Sequence, residues 1–291
     1  MIVGVNYALF LLCLSANVRS TPDIRTVEAD LVVPPVTNGL PAASKRVKQT
    51  LAEWRNTRVY HVLQLPEDWK PGSKYPVLVE YGGNGNYRNS FGDVCTGQPE
   101  GSKMGFGLTS GKGYIWVCLP YLNNEGTANV IKWWGTAPQY DARPTVDYCK
   151  KAVPWICKQY GGDLKQVILC GFSRGAIACN FIGLHDDEIS KLWCGFIPYS
   201  HYDGVNERWG YPGADRQSGL SRLTRLTGRP QFICHEGGGI AATRSYLQST
   251  NVEGQFTFLA TGFRNHNDAW LLRPSSTRAA LRLWLTNITE K

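Results

Sequence analysis

The segment from Val167 to Gly175 constrains this chain most, because an apolar run there leads directly into Gly-Phe-Ser-Arg-Gly. The run predicts a buried strand, and the small and apolar residues that follow predict a helix packed against the sheet. A strand that turns into a helix at Gly-x-Ser-x-Gly is typical of a nucleophile elbow, in which the backbone of the serine is strained. Gly171 and Gly175 leave room for the helix to pass close to the strand. We therefore predict that Ser173 is a nucleophile; the alternative is a glycine-rich turn with an idle serine.

Short runs rich in β-branched and aromatic residues recur along the chain and alternate with helical patterns. The helical patterns cover residues 144–160, where Pro154 should introduce a kink, residues 174–184, and a last helix from Ser275 or Ser276. We expect the last helix to bury Ala279, Ala280, Leu283 and Trp284. This alternation predicts an α/β fold with a mainly parallel sheet and helices on both faces. The predicted strands lie within residues 57–65, 75–81, 114–121, 166–172, 194–200, 229–236 and 255–262.

We predict three segments along the chain. Residues 1–20 carry an apolar run followed by small residues, which indicates a signal peptide cleaved near Ala16 or Ser20. The run is shorter than the roughly 20 residues that a membrane-spanning helix needs, so an anchor is the weaker interpretation. Residues 21–50, rich in Pro and Thr, should form an extended lead-in, and residues 51–291 a single catalytic domain. The chain is therefore expected to be secreted.

Secretion gives meaning to two other features of the sequence. Asn287-Ile288-Thr289 is a glycosylation sequon. Of the 9 cysteines, Cys13 lies in the predicted signal peptide, and the rest form an even number, as disulfide-bonded proteins prefer. Cys118, Cys170 and Cys234 lie within apolar runs, where a free thiol behaves as a small hydrophobe. We expect a glycoprotein with fewer than four disulfide bonds.

Composition argues against several classes of partner. The net charge of +8 gives a basic surface, but Lys and Arg are not interleaved with stacking aromatic residues, so nucleic-acid binding is not predicted. Cysteines and histidines lack the spacing of a zinc site, so no metal is predicted. We see no membrane-spanning segment after the signal peptide, and the oligomeric state stays open.

Residues 161–178, GGDLKQVILCGFSRGAIA, resemble the elbow region of secreted α/β-hydrolase esterases related to polyhydroxybutyrate depolymerases and to feruloyl and acetylxylan esterases. The resemblance extends from about Val59 to the C-terminus and is strongest at the elbow. It implies an α/β-hydrolase fold and an ester substrate, which is a small molecule, a polysaccharide ester or a polyester. The chemistry requires no cofactor.

A serine hydroxyl needs a histidine to accept its proton, and in this fold that histidine follows the last strand. His266 lies shortly after the run at residues 255–262 and fits this position. His61 and His185 are better interpreted as structural or solvated histidines. His201 and His235, which end two earlier strands, are candidates for the substrate pocket.

The acid that orients the histidine is open between two residues. Relatives place an aspartate after the strand that precedes the last one, in a pattern like His-Gly-x-x-Asp, but this chain has His235-Glu236 followed by three glycines. Glu236 lies at that strand end, and Asp203 follows the preceding strand. We favour Asp203, because its loop has room to turn towards His266, whereas Glu236 comes early in its turn. Asp268 is interpreted as a helix cap.

An oxyanion hole needs two preorganised N–H donors. The Arg174 N–H should supply one, and Gly83 or Asn84, in the glycine-rich loop at residues 82–86, should supply the other. Trp133 and Trp134 fall at the same sheet edge, where they either bind substrate or pack in the core. The polar residues 203–223 form an insertion that should cap the pocket.

These residues predict a serine hydrolase. Ser173 would attack an ester carbonyl, His266 would accept its proton, and water would hydrolyse the acyl-enzyme. Two alternatives remain open: a hydrolase fold used only for binding, which the missing His-Gly-x-x-Asp acid favours, and a peptidase of the same fold.

Overall fold

A computed structural model describes residues 21–290, so the predicted signal peptide lies outside the described residues. Strands and helices alternate along this range. The strands are β1 (Val36–Thr37), β2 (Arg46–Gln49), β3 (His61–Gln64), β4 (Tyr75–Tyr81), β5 (Tyr87–Arg88), β6 (Val94–Cys95), β7 (Ile115–Leu119), β8 (Tyr121–Leu122), β9 (Asn129–Val130), β10 (Gly162–Phe172), β11 (Gly195–Tyr199), β12 (Pro230–His235) and β13 (Gln255–Ala260). The helices are α1 (Met104–Thr109), α2 (Arg143–Tyr160), α3 (Arg174–Phe181), α4 (Asp187–Ser190), α5 (Arg216–Leu223), α6 (Gly239–Gln248) and α7 (Ser276–Thr289).

Nine strands form one sheet in the order β1-β2-β3-β7-β4-β10-β11-β12-β13. Only β3 runs antiparallel to its neighbours in the described sheet; the other adjacent pairs are parallel. Each of the seven runs predicted to form strands coincides with one of these strands, although β10 begins four residues before its run. β5 pairs with β6, and β8 pairs with β9. These two short antiparallel ribbons lie outside the main sheet. The predicted mainly parallel α/β architecture is confirmed.

The central strands β4, β7 and β11 are buried on both faces, as expected for parallel strands crossed over by helices, whereas the edge strand β13 is partly exposed. In β4, Val77 and Val79 point into one core cluster, and Leu78 points into the other. Residues of α2 to α6 pack in the first cluster, and residues of α1 and α7 pack in the second. The parallel strands β4, β10, β11, β12 and β13 all have their carboxyl ends at one edge of the sheet, which is where binding sites form in such folds.

Three expectations about elements need correction or refinement. The segment 21–50 is not only a lead-in, because β1 and β2 are strands of the main sheet. The last helix begins after the predicted Ser275 cap, but Ala279 and Leu283 are exposed, while Leu281 and Leu285 are buried. Arg278 pairs with Asp30, which turns that part of the helix towards the protein. Pro154, where we expected a kink, lies inside α2, which continues as a helix on both sides of it.

All eight cysteines in the described range are free thiols, which corrects the expectation of disulfide bonds. Burial raises the pKa of Cys118, Cys170 and Cys234, as expected for thiols that serve as core hydrophobes.

Within residues 21–290 no helix is both long and apolar enough to cross a bilayer. The same range contains no group of three or more His, Cys, Asp or Glu side chains arranged to hold a metal ion.

Candidate active site

Ser173 lies at the turn between β10 and α3, in the strained conformation expected of a nucleophile elbow. Its φ is 57° and its ψ is −112°, in a region that non-glycine residues rarely adopt. The Ser173 N–H donates to the Tyr199 carbonyl at 2.9 Å, which fixes the turn to β11. A Cβ on Gly171 would clash with the Gly175 backbone, and one on Gly175 would clash with the Tyr81 carbonyl. Both glycines are therefore required for the close approach of strand and helix.

His266 connects Ser173 to a carboxylate that is 14% exposed. Its Nε2 lies 3.0 Å from Ser173 Oγ, and its Nδ1 lies 2.6 Å from Glu236 Oε1. His266 follows β13, and Glu236 follows β12, so the two loops meet at the carboxyl edge of the sheet beside β10. Serine, histidine and acid also occur in the order Ser-acid-His along the chain, as is usual in this kind of site.

The surroundings of Glu236 determine which nitrogen of His266 carries the proton. Burial raises the pKa of the Glu236 carboxyl, but the hydrogen bond and the charge of His266 outweigh burial, so that the pKa lies below its ordinary value. An ionised carboxylate only accepts hydrogen bonds, so Nδ1–H is the donor to Glu236. Nε2 is then free to accept from the Ser173 hydroxyl.

The preference for Asp203 as the acid does not agree with this geometry. Both carboxylate oxygens of Asp203 are bound by Arg222, Oδ2 at 2.8 Å from Nε and Oδ1 at 2.9 Å from Nη2. Asp203 is 1% exposed and follows β11, but its side chain faces α5 rather than His266. Glu236, the alternative acid, is the carboxylate that contacts His266 Nδ1. The glycines after Glu236 let the chain turn immediately, so an acid early in the turn reaches the histidine.

The predicted oxyanion residues lie beside Ser173. Asn84 lines the same cavity as Ser173 and His266. The backbone N–H groups of Asn84 and Arg174 make no hydrogen bond within the described residues. A Cβ on Gly83 would press on the Phe172 ring at 3.1 Å, so this loop packs tightly on the elbow. Asn84, which lines the cavity, and Arg174 thus remain candidates to donate to an oxyanion, and Gly83 packs tightly against Phe172 just before Asn84.

The Arg174 side chain holds the oxyanion loop in place, a role that the sequence did not suggest. Its guanidinium is fully buried and donates to the carbonyl oxygens of Trp133, Gly83 and Gly97 at 2.6, 2.8 and 3.1 Å. It also lies 3.7 Å from the centre of the Tyr121 ring. Burial lowers the pKa of Arg174 to about 10. One side chain thereby connects three separate loops beneath the site.

A cavity of about 210 Å³ opens beside Ser173. His201 lines it, as predicted, but the other three candidate pocket residues do not. Trp134 is fully buried and stacks on Phe181, so it belongs to the core, and Trp133 packs against Trp134 behind the cavity. His235 lines a neighbouring cavity of about 190 Å³. The cavity beside Ser173 is lined by Asn84, Tyr87, Cys95, Phe172, Ser173, His201, Trp209 and His266.

Three residues at the site were not predicted. The Ser200 hydroxyl lies 3.0 Å from Glu236 Oε1 and 2.9 Å from His266 Nδ1. Asp93 Oδ2 accepts from the His266 N–H at 3.1 Å, and Trp209 lines the cavity. Ser200 directly follows a predicted strand at the catalytic edge, and Trp209 lies in the predicted capping insertion. The sequence could therefore have indicated that both residues lie near the site. Asp93 lies in a turn that no pattern marks.

A larger cavity, of about 740 Å³, lies between residues 31–36 and residues 94–103. It does not include Ser173, and its lining combines the apolar residues 31–36 with charged side chains, among them Arg46, Lys48 and Glu100. The catalytic geometry therefore identifies the smaller cavity as the candidate active site.

Solved structures with the same architecture include two kinds of hydrolase. A thermostable esterase is 14% identical with a TM-score of 0.51, over 83% of this chain and 62% of that one. A protein assigned as a dipeptidyl aminopeptidase IV from Bacteroides ovatus is 15% identical with a TM-score of 0.54, over 84% of this chain and 35% of that one. Dipeptidyl peptidase 4 from Porphyromonas gingivalis is 14% identical with a TM-score of 0.52, over 84% and 36%.

This chain thus spans about a third of the length of the two peptidases and about three fifths of the esterase. At these identities the likeness shows a shared fold. No protein-family model matches the sequence. No curated protein matches it either.

Proposed function

We propose that this chain, which has the α/β-hydrolase fold, is a serine hydrolase that cleaves carboxylic esters through an acyl-enzyme on Ser173. The observation that carries the proposal is the hydrogen-bonded series Ser173 Oγ, His266 and Glu236, with contacts of 3.0 and 2.6 Å. Nucleophile, base and orienting acid in mutual contact beside a cavity constitute the arrangement that acyl transfer requires.

The proposed reaction has two steps. Ser173 Oγ attacks the ester carbonyl while its proton passes to His266 Nε2, and Glu236 stabilises the imidazolium that forms. The oxyanion accepts hydrogen bonds from the N–H groups of Asn84 and Arg174. Collapse of the tetrahedral intermediate breaks the bond to the alcohol, which takes the proton from His266. Water then repeats the attack on the acyl-enzyme, releasing the acid and restoring Ser173.

Labelling with a fluorophosphonate probe tests the nucleophile directly. We expect the wild-type protein to be labelled, and Ser173→Ala to lose both labelling and hydrolysis of p-nitrophenyl acetate, because among residues 21–290 no other hydroxyl contacts His266 Nε2. An unlabelled wild type, or undiminished labelling of Ser173→Ala, would remove the central claim and would favour a non-catalytic binding protein.

Two matched variants test which acid serves His266. Glu236→Gln should lower kcat by at least about 10²-fold, since loss of the acid partner of a catalytic histidine is costly even when its geometry is kept. Asp203→Asn should lower the melting temperature, because it weakens a buried ion pair with Arg222, but should leave kcat for a short ester nearly unchanged. The reverse pattern would assign the acid to Asp203.

Peptidase activity is the alternative hypothesis for the same site, since two of the structures with this fold are described as dipeptidyl peptidases. Matched p-nitrophenyl ester and peptide p-nitroanilide substrates separate the two. We expect measurable ester hydrolysis that depends on Ser173 and a much lower rate on the anilides. A faster rate on the anilides would make the protein a peptidase.

Secretion and glycosylation remain part of the proposal. Asn287 is exposed near the end of α7, which is compatible with a glycan at its sequon. The substrate classes implied by the resemblance, polysaccharide esters, polyesters and small esters, are all consistent with this chemistry.

A further inference from the structure

Two cavities at the site share one wall. The cavity of about 210 Å³ beside Ser173 and the cavity of about 190 Å³ next to it have only His201 and Trp209 in common among their lining residues. The second cavity continues over the ends of β11 and β12, with His235 and Thr243 in its lining. The two shared side chains thus border both spaces, which together have about twice the volume of the first.

Trp209 is held in this wall by aromatic packing. Its ring centre lies 5.3 Å from that of Trp133 and 5.3 Å from that of His201, in tilted or edge-to-face arrangements that aromatic pairs favour. The Trp133 ring centre in turn lies 4.8 Å from that of Tyr211, so the ring against which Trp209 packs is itself held by a second aromatic contact. Burial, together with the nearby His266, lowers the pKa of His201 to about 4, so His201 is a neutral partner in the wall at pH 7.

An ion pair and a hydrogen bond from one arginine hold together the two ends of the loop that carries Trp209. Arg222, on α5, binds the Asp203 carboxylate at one end of the loop and the Gly213 carbonyl, at 2.7 Å, at the other end. The Arg222 guanidinium also lies over the Phe181 ring at 4.3 Å. This explains why Asp203 is buried near the site without contacting His266: it fixes the segment 203–213 that places Trp209 over the cavity.

We propose that Trp209 sets the size limit for the acyl group of the substrate, and that the site takes esters of short acyl groups. The proposal rests on the proposed function, because it concerns the acyl group attached to Ser173. That group stays covalently bound to Ser173 after the alcohol has left and until water releases it as the acid, so the cavity next to Ser173 suits the acyl part. Its walls include Phe172, Tyr87 and Cys95, which suit an apolar group.

The volume of the cavity sets the range of acyl groups. A cavity of about 150 Å³ is enough to hold one benzene molecule. A cavity of about 210 Å³ beside Ser173 therefore holds a group up to about the size of a benzoyl or butanoyl group, and an octanoyl chain would run into Trp209. Without the indole, such a chain could extend into the second cavity.

The experiment measures kcat/KM for p-nitrophenyl acetate, butanoate and octanoate in the wild type, Trp209→Ala and Trp209→Leu. We expect the wild type to prefer the butanoate to the octanoate, and both variants to raise the octanoate-to-butanoate ratio by at least about tenfold, a size of effect usual for a few methylenes in an apolar pocket. Trp209→Leu is the smaller change and keeps an apolar contact with Trp133, so it reports on the wall if Trp209→Ala does not fold.

Two controls separate the proposal from its alternatives. Trp155→Ala, which removes a tryptophan that packs against Tyr160 on the far end of α2, should leave the ratio unchanged. A second series, acetate esters of methanol, butanol and octanol, should keep its order of rates in the Trp209 variants.

The outcomes are distinct. An unchanged acyl ratio in both Trp209 variants, or a shift in the alcohol series instead of the acyl series, overturns the size limit while leaving Ser173 as nucleophile. Wild-type turnover equal to that of Ser173→Ala overturns the proposed function itself.

Discussion

Ser200 occupies an unusual position at the residue scale. Its φ is 93°, in the region that favours glycine, yet it carries a side chain, and that side chain is fully buried. Its hydroxyl donates to Glu236 Oε1 and lies within hydrogen-bond distance of His266 Nδ1. A strained non-glycine residue is retained where its surroundings require its side chain. We therefore interpret Ser200 as a positioning residue that fixes the carboxylate and the imidazole relative to each other.

Substitution of Ser200 tests this role. Ser200→Ala keeps the backbone strain and removes the hydroxyl, and Ser200→Gly removes both. We expect kcat for p-nitrophenyl acetate to fall at least about tenfold in both variants, because a hydrogen bond to a charged group is worth about 1.5–3 kcal/mol. KM should be nearly unchanged, since Ser200 does not line the cavity beside Ser173.

The matched pair also gives the control. Ser200→Gly should be at least as stable to heat as Ser200→Ala, since glycine adopts a positive φ without strain. A purely structural role would instead make activity follow stability, so that recovery of the melting temperature in Ser200→Gly would also restore kcat.

The sequence predicted Ser173 and His266, which the structure places in contact, and favoured Asp203 as the acid, which the structure places against Arg222 instead of His266. The glycines and the strand-to-helix pattern mark Ser173 locally, and chain order marks His266. Asp203 and Glu236 both follow strands that end at the same edge, so order and edge do not separate them. Only the position of Arg222, 19 residues after Asp203, shows that this carboxylate is already used. Such pairings depend on how loops fold over the sheet, which no local pattern encodes.

At the scale of elements, the hydrophobic pattern of the sequence was enough to locate the long strands. It did not locate β1 or the buried face of α7. The seven predicted runs are apolar enough to mark strands, including the edge strand β13, which is only partly buried. β1, of two residues, exists because β2 lies beside it, and a strand that short has no periodicity to detect. In α7, the predicted face included Ala279 and Leu283, but the Arg278 ion pair with Asp30 sets the rotation of the helix start. Long-range polar contacts therefore decided what hydrophobic spacing left ambiguous.

The contact between β3 and α2 predicts how stability depends on pH. His61 on β3 is fully buried, with Nδ1 2.7 Å from the Tyr148 hydroxyl of α2, and burial lowers the pKa of His61 to about 3. The unfolded chain binds a proton on this group near pH 6.5, whereas the folded chain does not until about pH 3. The contribution is therefore present at neutral pH and is lost as the pH falls from about 6.5 towards 3, at up to about 1.4 kcal/mol per pH unit.

His61→Asn provides the measurement, because an asparagine amide can still pair with Tyr148 but does not titrate. Urea unfolding at pH 7.0, 5.5 and 4.5 should show a shallower loss of the free energy of unfolding in the variant than in the wild type. His201, whose pKa is also lowered by burial, contributes a loss of the same sign in both proteins. Parallel curves for the two proteins would show that His61 takes up a proton in the folded state.

At the scale of the whole molecule, distant parts of the chain converge on the loop that carries His266. The Arg264 N–H donates to the Pro22 carbonyl at 3.0 Å, and the Ile24 N–H donates to Asn265 Oδ1 at 2.7 Å. Asp23 also binds the Arg264 guanidinium at 2.9 Å. The first described residues are thus fastened to the two residues that precede His266, although about 240 positions separate them in the sequence.

This fastening predicts that the N-terminal segment supports catalysis without contacting the substrate. We compare chains that begin at residues 21 and 28. Loss of residues 21–27 removes these hydrogen bonds and the buried Ile24 side chain, while Asp93 still holds the His266 N–H. The loop should loosen without unfolding the sheet, and a displacement of His266 of even about 1 Å is costly because proton transfer requires close alignment.

We expect the shorter chain to lose about tenfold in kcat/KM for p-nitrophenyl acetate, since misplacement of a catalytic group acts mainly on rate. The rate of fluorophosphonate labelling should fall in parallel, because it depends on the same contact between Ser173 and His266. Val32→Ser, a change at a side chain in the same segment that is 83% exposed, serves as the control and should leave both rates unchanged. Equal labelling rates in the two chain lengths would mean that the remaining contacts of the loop, with Asp93, Glu236 and Ser200, are enough to place His266. The contacts of residues 22–24 would then contribute to stability rather than to the placement of His266.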